Sequence, residues 1–163
     1  MGKSRSATSI RSLYEADLRK AYGDVAAPRR DFAREMVKRD PYSALLLDLS
    51  ATGETEDDTD INHEVAFTYF VRGSRLLLVK LSMVGPYAVV LAFGEDGCGA
   101  GELLSRPAGP FESRVLDLVQ VHGLRLVPVH HLETPVPLAV VPGRDEVTLY
   151  AALFEPEAEP PWW

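Results

Sequence analysis

Apolar positions recur at helical spacing in the first part of the chain and at strand spacing in its middle. Ile10, Leu13, Tyr14, Leu18, Ala21 and Tyr22 fall on one helical stripe, which predicts a helix over 10–22. Ser12 and Glu15 have capping-box spacing, and Gly23 supplies a stop. A second helix is expected over 28–39. Pro28 suits its first turn, Phe32, Ala33, Met36 and Val37 make its buried side, and Asp40-Pro41 ends it. Its opposite side carries Arg30, Arg34 and Lys38. Residues 42–49, rich in leucine, read as a strand. In the following stretch, 50–62, Glu54, Glu56, Asp57, Asp58 and Asp60 crowd together. Such a density of charge cannot enter a core, so this segment reads as an exposed loop.

From residue 65 the pattern is that of a sheet. Residues 65–71 are rich in β-branched and aromatic side chains, Gly73-Ser74 closes a hairpin, 75–83 returns, Gly85-Pro86 turns, and 87–93 forms a third strand. The three make an antiparallel meander. Residues 94–109 form a connection bearing glycine and proline. A helix over 111–122 follows, with Phe111, Val115, Leu118, Val119 and His122 on one side and Gly123 as its stop. Segments 124–127 and 136–141 read as short extended pieces bounded by prolines, and 147–154 as the final strand.

Helices and strands are thus segregated along the chain rather than alternating, which argues for an α+β fold and against a doubly wound parallel sheet. The expected architecture has two N-terminal helices, a mainly antiparallel sheet built on the 65–93 meander, one helix at 111–122 packed on it, and a C-terminal strand. A disordered basic start (1–9), a single domain (10–154) and an acidic tail rich in proline and tryptophan (155–163) are expected to divide the chain.

The 163 residues suit one domain able to bury a core. A single cysteine excludes a disulfide framework and a zinc site built mainly of thiolates. No apolar run approaches the roughly 18 residues of a membrane span, and the basic start has no apolar run behind it, so a cytoplasmic protein is expected. Charge is unevenly spread. Residues 1–40 hold ten basic and six acidic side chains, which leaves seven basic and eighteen acidic for the rest. The basic quarter either lies on the acidic body or offers a cationic face to a partner.

Several patterns invite chemistry and fall short of it. The glycines of 94–101 lack both the Gly-Lys-Ser/Thr and the G-x-G-x-x-G arrangement, and Glu95 and Asp96 would repel a phosphate there. Cys98 sits beside the same two carboxylates, which raise rather than lower a thiol pKa. His130-His131 with Glu133 could supply metal ligands, but adjacent residues of a strand point to opposite faces and no H-E-x-x-H is present. No metal or other cofactor is expected. Gly2 fits the permissive acyl-acceptor pattern, although one acyl chain holds a membrane only marginally. The Arg29/Arg30 side of the second helix lacks the interleaved aromatics of a nucleic-acid face, so nucleic acid is not an expected partner. The ending Glu155-Pro-Glu-Ala-Glu-Pro-Pro-Trp-Trp163 is the more informative feature, because tryptophan is enriched at contact sites. Either Trp162 and Trp163 fold back on the domain, or they dock into a partner.

The stretch His122-Gly-Leu-Arg-Leu-Val-Pro-Val-His-His-Leu-Glu-Thr-Pro-Val-Pro137, followed by Glu146-Val-Thr-Leu-Tyr-Ala-Ala-Leu-Phe154, resembles the ending of small acidic bacterial immunity proteins encoded beside polymorphic toxins. The resemblance implies a class, a single-domain cytoplasmic protein that binds a toxin domain and blocks it, and it carries over no functional residue. An acidic chain without an assembled active site suits a binder of a basic protein. Glu54, Glu56, Asp57, Asp58 and Asp60, with Trp162 and Trp163, are the expected partner-binding residues, and no catalytic residue is expected. Two rival expectations are a small enzyme using His130 or His131 with an acidic partner, with or without a metal, and an assembly subunit of a phage or secretion system.

Overall fold

The computed structural model describes residues 6–94, 101–106 and 109–163. Cys98, Gly2 and most of the 94–101 glycine segment lie outside the described residues. Helix α1 (Ala7–Tyr22) presents Ile10, Tyr14, Leu18 and Tyr22 to the core, as its stripe predicts. Its cap is Ser6, whose side chain accepts the Ser9 N–H, rather than Ser12, so residues 7–9 of the expected disordered start are helical. Gly23 stops it at φ 76°, a left-handed backbone that glycine adopts without strain. Helix α2 (Phe32–Arg39) is shorter than expected. Pro28 lies in the turn before it, where the Arg29 N–H returns to the Tyr22 carbonyl.

Residues 42–49 are a helix and not a strand: α3 runs Ser43–Thr52. Its run of leucine and alanine has no β-branched residue before Thr52, and leucine and alanine are strong helix formers. Leu45 and Leu49, one turn apart, are its buried pair, each worth about 1.5–3 kcal/mol of burial. The acidic segment is not wholly loop either. Glu54–Asp57 forms strand β1, antiparallel to β2 (Ala66–Arg72), with Glu54 opposite Arg72 and Glu56 opposite Phe70. Charge is compatible with a strand here because β1 is a sheet edge, where side chains stay in water.

Strands β2, β3 (Leu76–Ser82) and β4 (Tyr87–Phe93) form the expected meander. The six-stranded sheet has the order β1-β2-β3-β4-β5, with β5 (Glu102–Leu103) antiparallel to β4 and β6 (Arg125–Leu126) parallel to it. Between those two short strands runs α4 (Pro110–Val121). The chain then makes one helical turn, α5 (Val129–Leu132), and a separate two-stranded sheet of β7 (Pro135–Pro137) and β8 (Glu146–Thr148). The C-terminal strand is therefore short. Residues 149–153 of the expected strand are helix α6 (Leu149–Leu153), capped by Thr148, whose hydroxyl accepts the Ala151 N–H. All five α6 residues are buried, so no alternation or stripe marks them as helix or strand.

Strand alternation gives the sheet two faces, each covered by helices. Phe67, Tyr69, Val71, Leu77, Val79, Leu81, Ala88, Val90 and Ala92 pack against α2, α3 and α4. Ala66, Tyr87 and Val89 pack against α1, α5, β7 and α6. The fold is α+β, with the sheet as its middle layer.

Candidate functional site

The acidic residues singled out above are exposed and lie together along the β1 edge. Asp58 donates its N–H to the Thr68 carbonyl at 2.8 Å. By antiparallel alternation, Glu54 and Glu56 spend their backbone groups on β2, while those of Thr55 and Asp57 face outward. No other strand pairs with β1 among the described residues. Glu54 and Glu56 rim a hollow of about 260 Å³ whose floor is Phe70 and Leu76, with Arg72 on its wall. The β1 strand is held there by Gly53, where a Cβ would come within 2.6 Å of the Arg72 carbonyl oxygen.

Beyond β1 the chain turns back through Asp60 and His63, whose Oδ2 and Nδ1 are 2.7 Å apart. That hydrogen bond, more than their mutual charge, raises the His63 pKa above its ordinary value and lowers that of Asp60. Glu157 and Glu64 add to the shift of His63. The C-terminal tail therefore runs beside the acidic segment, and the Val65 N–H confirms the neighbourhood by donating to the Phe154 carbonyl at 2.9 Å.

The fastening beneath is a buried cation that the sequence pattern does not expose as such. Lys80, only 2% exposed, donates to Glu64 Oε1 at 2.8 Å, Glu155 Oε1 at 2.6 Å and Thr68 Oγ1 at 3.2 Å. Thr68 in turn donates to Glu64 Oε2 at 2.6 Å, and the Tyr150 hydroxyl donates to Glu155 at 3.1 Å. All three ammonium N–H groups have a partner, so Lys80 ties these elements together as a structural ion. Its one signal in the sequence is a lone charge inside Leu76-Leu-Leu-Val-Lys-Leu81.

The two terminal tryptophans fare differently. Trp162 stacks edge-on against Tyr150 with ring centres 5.5 Å apart and donates its indole N–H to Glu133 at 2.8 Å. Trp163 donates to the same carboxylate oxygen at 3.2 Å but stays 62% exposed. It borders a hollow of about 540 Å³ shared with Arg144, Pro156, Glu157 and Glu159. Glu157 thus shares a hollow with the exposed indole and acts electrostatically on His63. It also accepts Arg30 at 3.2 Å, so the basic first quarter does reach the acidic remainder.

The histidines do not form the arrangement expected of them. His130 and His131 lie on the single turn of α5 rather than on a strand, with rings 4.5 Å apart and nearly perpendicular. His131 Nδ1 shares a 2.6 Å hydrogen bond with the Tyr14 hydroxyl, and Glu133 is taken by the tryptophans. His122 bridges α4 to Asp48 of α3 at 2.7 Å. Among the described residues, no group of three or more His, Cys, Asp or Glu is placed to hold a metal ion. None of their helices is long and apolar enough to cross a membrane. No protein-family model, curated protein or solved structure matches the chain.

Proposed function

We propose that this chain is a non-enzymatic protein-binding domain of the immunity type, which engages a basic toxin domain and blocks it. The observation that carries the reading is the open β1 edge. Exposed carboxylates of Glu54, Glu56, Asp57, Asp58 and Asp60 accompany outward backbone groups of Thr55 and Asp57, and the tail adds Glu157, which acts on His63 just beyond β1, and the exposed Trp163. An edge of this kind offers main-chain pairing to an extended segment, and its carboxylates select for Lys and Arg on that segment. The same charges keep β1 from pairing with another copy of itself, because like charges directly opposite destabilise a strand pair. Exposed aromatics such as Trp163 serve as anchors at such contacts.

The test is a binding titration against the partner captured with the chain, repeated over a salt series and with Glu54, Glu56, Asp57, Asp58 and Asp60 all changed to Lys. Complementary charge predicts faster association at low salt and a loss of roughly a hundredfold or more in affinity on reversal. The captured protein must also lose its own toxic activity when bound. Affinity indifferent to both salt and charge reversal, with the fold verified by circular dichroism, sinks the reading.

A further inference from the structure

At the sheet edge opposite β1, side chains from four elements close on a hollow of about 270 Å³. Helix α1 gives Leu13 and Tyr14, β4 gives Tyr87, β6 gives Arg125 and Leu126, and α5 gives His131, with Val127 and Pro128 between the last two. Arg125 stands directly across from Tyr87 in the parallel β4–β6 pair, so the backbone register fixes where its guanidinium begins. Among the described residues Arg125 makes no ion pair. Its charge acts on the hydroxyls of both Tyr14 and Tyr87, favouring their ionised forms, although burial outweighs it and raises both pKa values.

The remaining polar groups are arranged around that cation. The Tyr87 hydroxyl donates to Asp17 and is spent. Tyr14, 6% exposed, shares its hydrogen bond with His131 Nδ1, and either atom can be the donor. When the imidazole carries its proton on Nδ1, it donates to the Tyr14 oxygen, and the Tyr14 O–H is released toward the hollow. The hollow then offers a guanidinium fork and one hydroxyl donor, and Leu13, Leu126, Val127 and Pro128 give it apolar walls, Leu13 being exposed.

We propose that this hollow binds a small monocarboxylate with an apolar body, held by Arg125 and the Tyr14 hydroxyl. A planar carboxylate matches the guanidinium fork, and the apolar walls cover the rest of the ligand. A dianion is disfavoured, because one guanidinium faces it while the Asp17 carboxylate lies behind Tyr87. The site is independent of the acidic edge and of the proposed partner.

Benzoate is the probe, titrated into the full chain by calorimetry and by ¹⁵N NMR of the histidine rings, with acetate and inorganic phosphate as comparisons. One equivalent of benzoate should bind more tightly than acetate or phosphate and move the His131 Nδ1 resonance toward its protonated position. Arg125→Gln should weaken binding roughly tenfold or more, the value of a charge-assisted hydrogen bond, and Tyr14→Phe severalfold. Arg125 is exposed and its strand pairs through backbone, so the substitution leaves the fold intact. Absence of saturable binding, a preference for phosphate, or equal affinity in Arg125→Gln overturns the assignment.

Discussion

Lys80 Nζ and Glu155 Oε1 sit 2.6 Å apart, joining the middle strand of the meander to the second residue after α6. With Glu64 as the second carboxylate, the cation anchors both the acidic segment that follows β1 and the tail that ends in the tryptophans. A buried ion pair costs more to break than it adds when formed, because the survivor is left charged without a partner. Lys80→Met, which keeps the stem and removes the charge, leaves two carboxylates facing each other. It should cost about 3–5 kcal/mol in urea denaturation. Adding Glu64→Gln and Glu155→Gln to Lys80→Met should restore part of that loss, and a triple variant no more stable than the single one contradicts the assignment.

Gly53 controls whether β1 forms. An added Cβ would meet backbone, the Arg72 carbonyl oxygen at 2.6 Å, as well as Val71 Cγ1 at 3.3 Å, and a carbonyl held in a sheet cannot swing aside as a side-chain tip can. Gly53→Ala should therefore cost about 1–3 kcal/mol. The loss should be local: the Asp58 amide, which donates to Thr68, should exchange with deuterium faster while the amides of β3 keep their protection. Equal acceleration across the whole sheet would count against this picture.

The elements that could be read in the sequence are those with one side in water or with clear turns at both ends. Helix α1 shows its stripe for the first reason, and β2–β4, buried on both faces, are legible by the second, helped in β2 and β4 by β-branched and aromatic side chains. Where burial surrounds a segment, as in α6, the apolar run is ambiguous, and only the Thr148 cap and the Ala151-Ala152 pair favour helix. In α3 the leucines were informative through propensity rather than hydrophobicity, since strand cores favour β-branched residues. Exposure of the acidic segment followed from charge alone. Its strand pairing did not, because β1 is held by its register with β2 and by the close approach of Gly53. The Lys80 network was illegible for the same reason: Thr68, Glu64 and Glu155 become its partners only through the sheet register and the path of the tail.

The His63–Asp60 pair makes a prediction about pH. The histidine pKa is raised above 6.5, first by the hydrogen bond to Asp60 and then by that carboxylate's charge, with Glu157 and Glu64 acting in the same direction. A raised folded pKa stabilises fully below the unfolded value and is lost as pH rises through the folded one. The Asp60 pKa is lowered below 3.8, so its share is lost as pH falls through that lowered value. The turn after β1 should be best ordered between the two. An NMR titration should place the His63 midpoint above 6.5, and Asp60→Asn should bring it back toward the ordinary value. A midpoint that Asp60→Asn leaves in place means the pair does not persist in solution.

The adjacent tryptophans should separate stability from binding. Trp162 is half-buried against Tyr150 and the core behind it, so Trp162→Ala removes packing and an edge-on ring contact, about 2 kcal/mol together. Trp163 has 62% of its surface in water and shares the Glu133 oxygen with its neighbour, so Trp163→Ala should change stability by less than about 1 kcal/mol. For partner binding the order reverses. An exposed indole beside Glu157 and the 540 Å³ hollow is placed to anchor a bound protein, and truncating an aromatic anchor typically costs about 2 kcal/mol or more, roughly thirtyfold in affinity. Urea denaturation and partner titration on both variants measure the two effects separately. If Trp163→Ala binds as wild type does, the tail closes the fold and contributes nothing to the interface, and the contact is confined to the β1 edge.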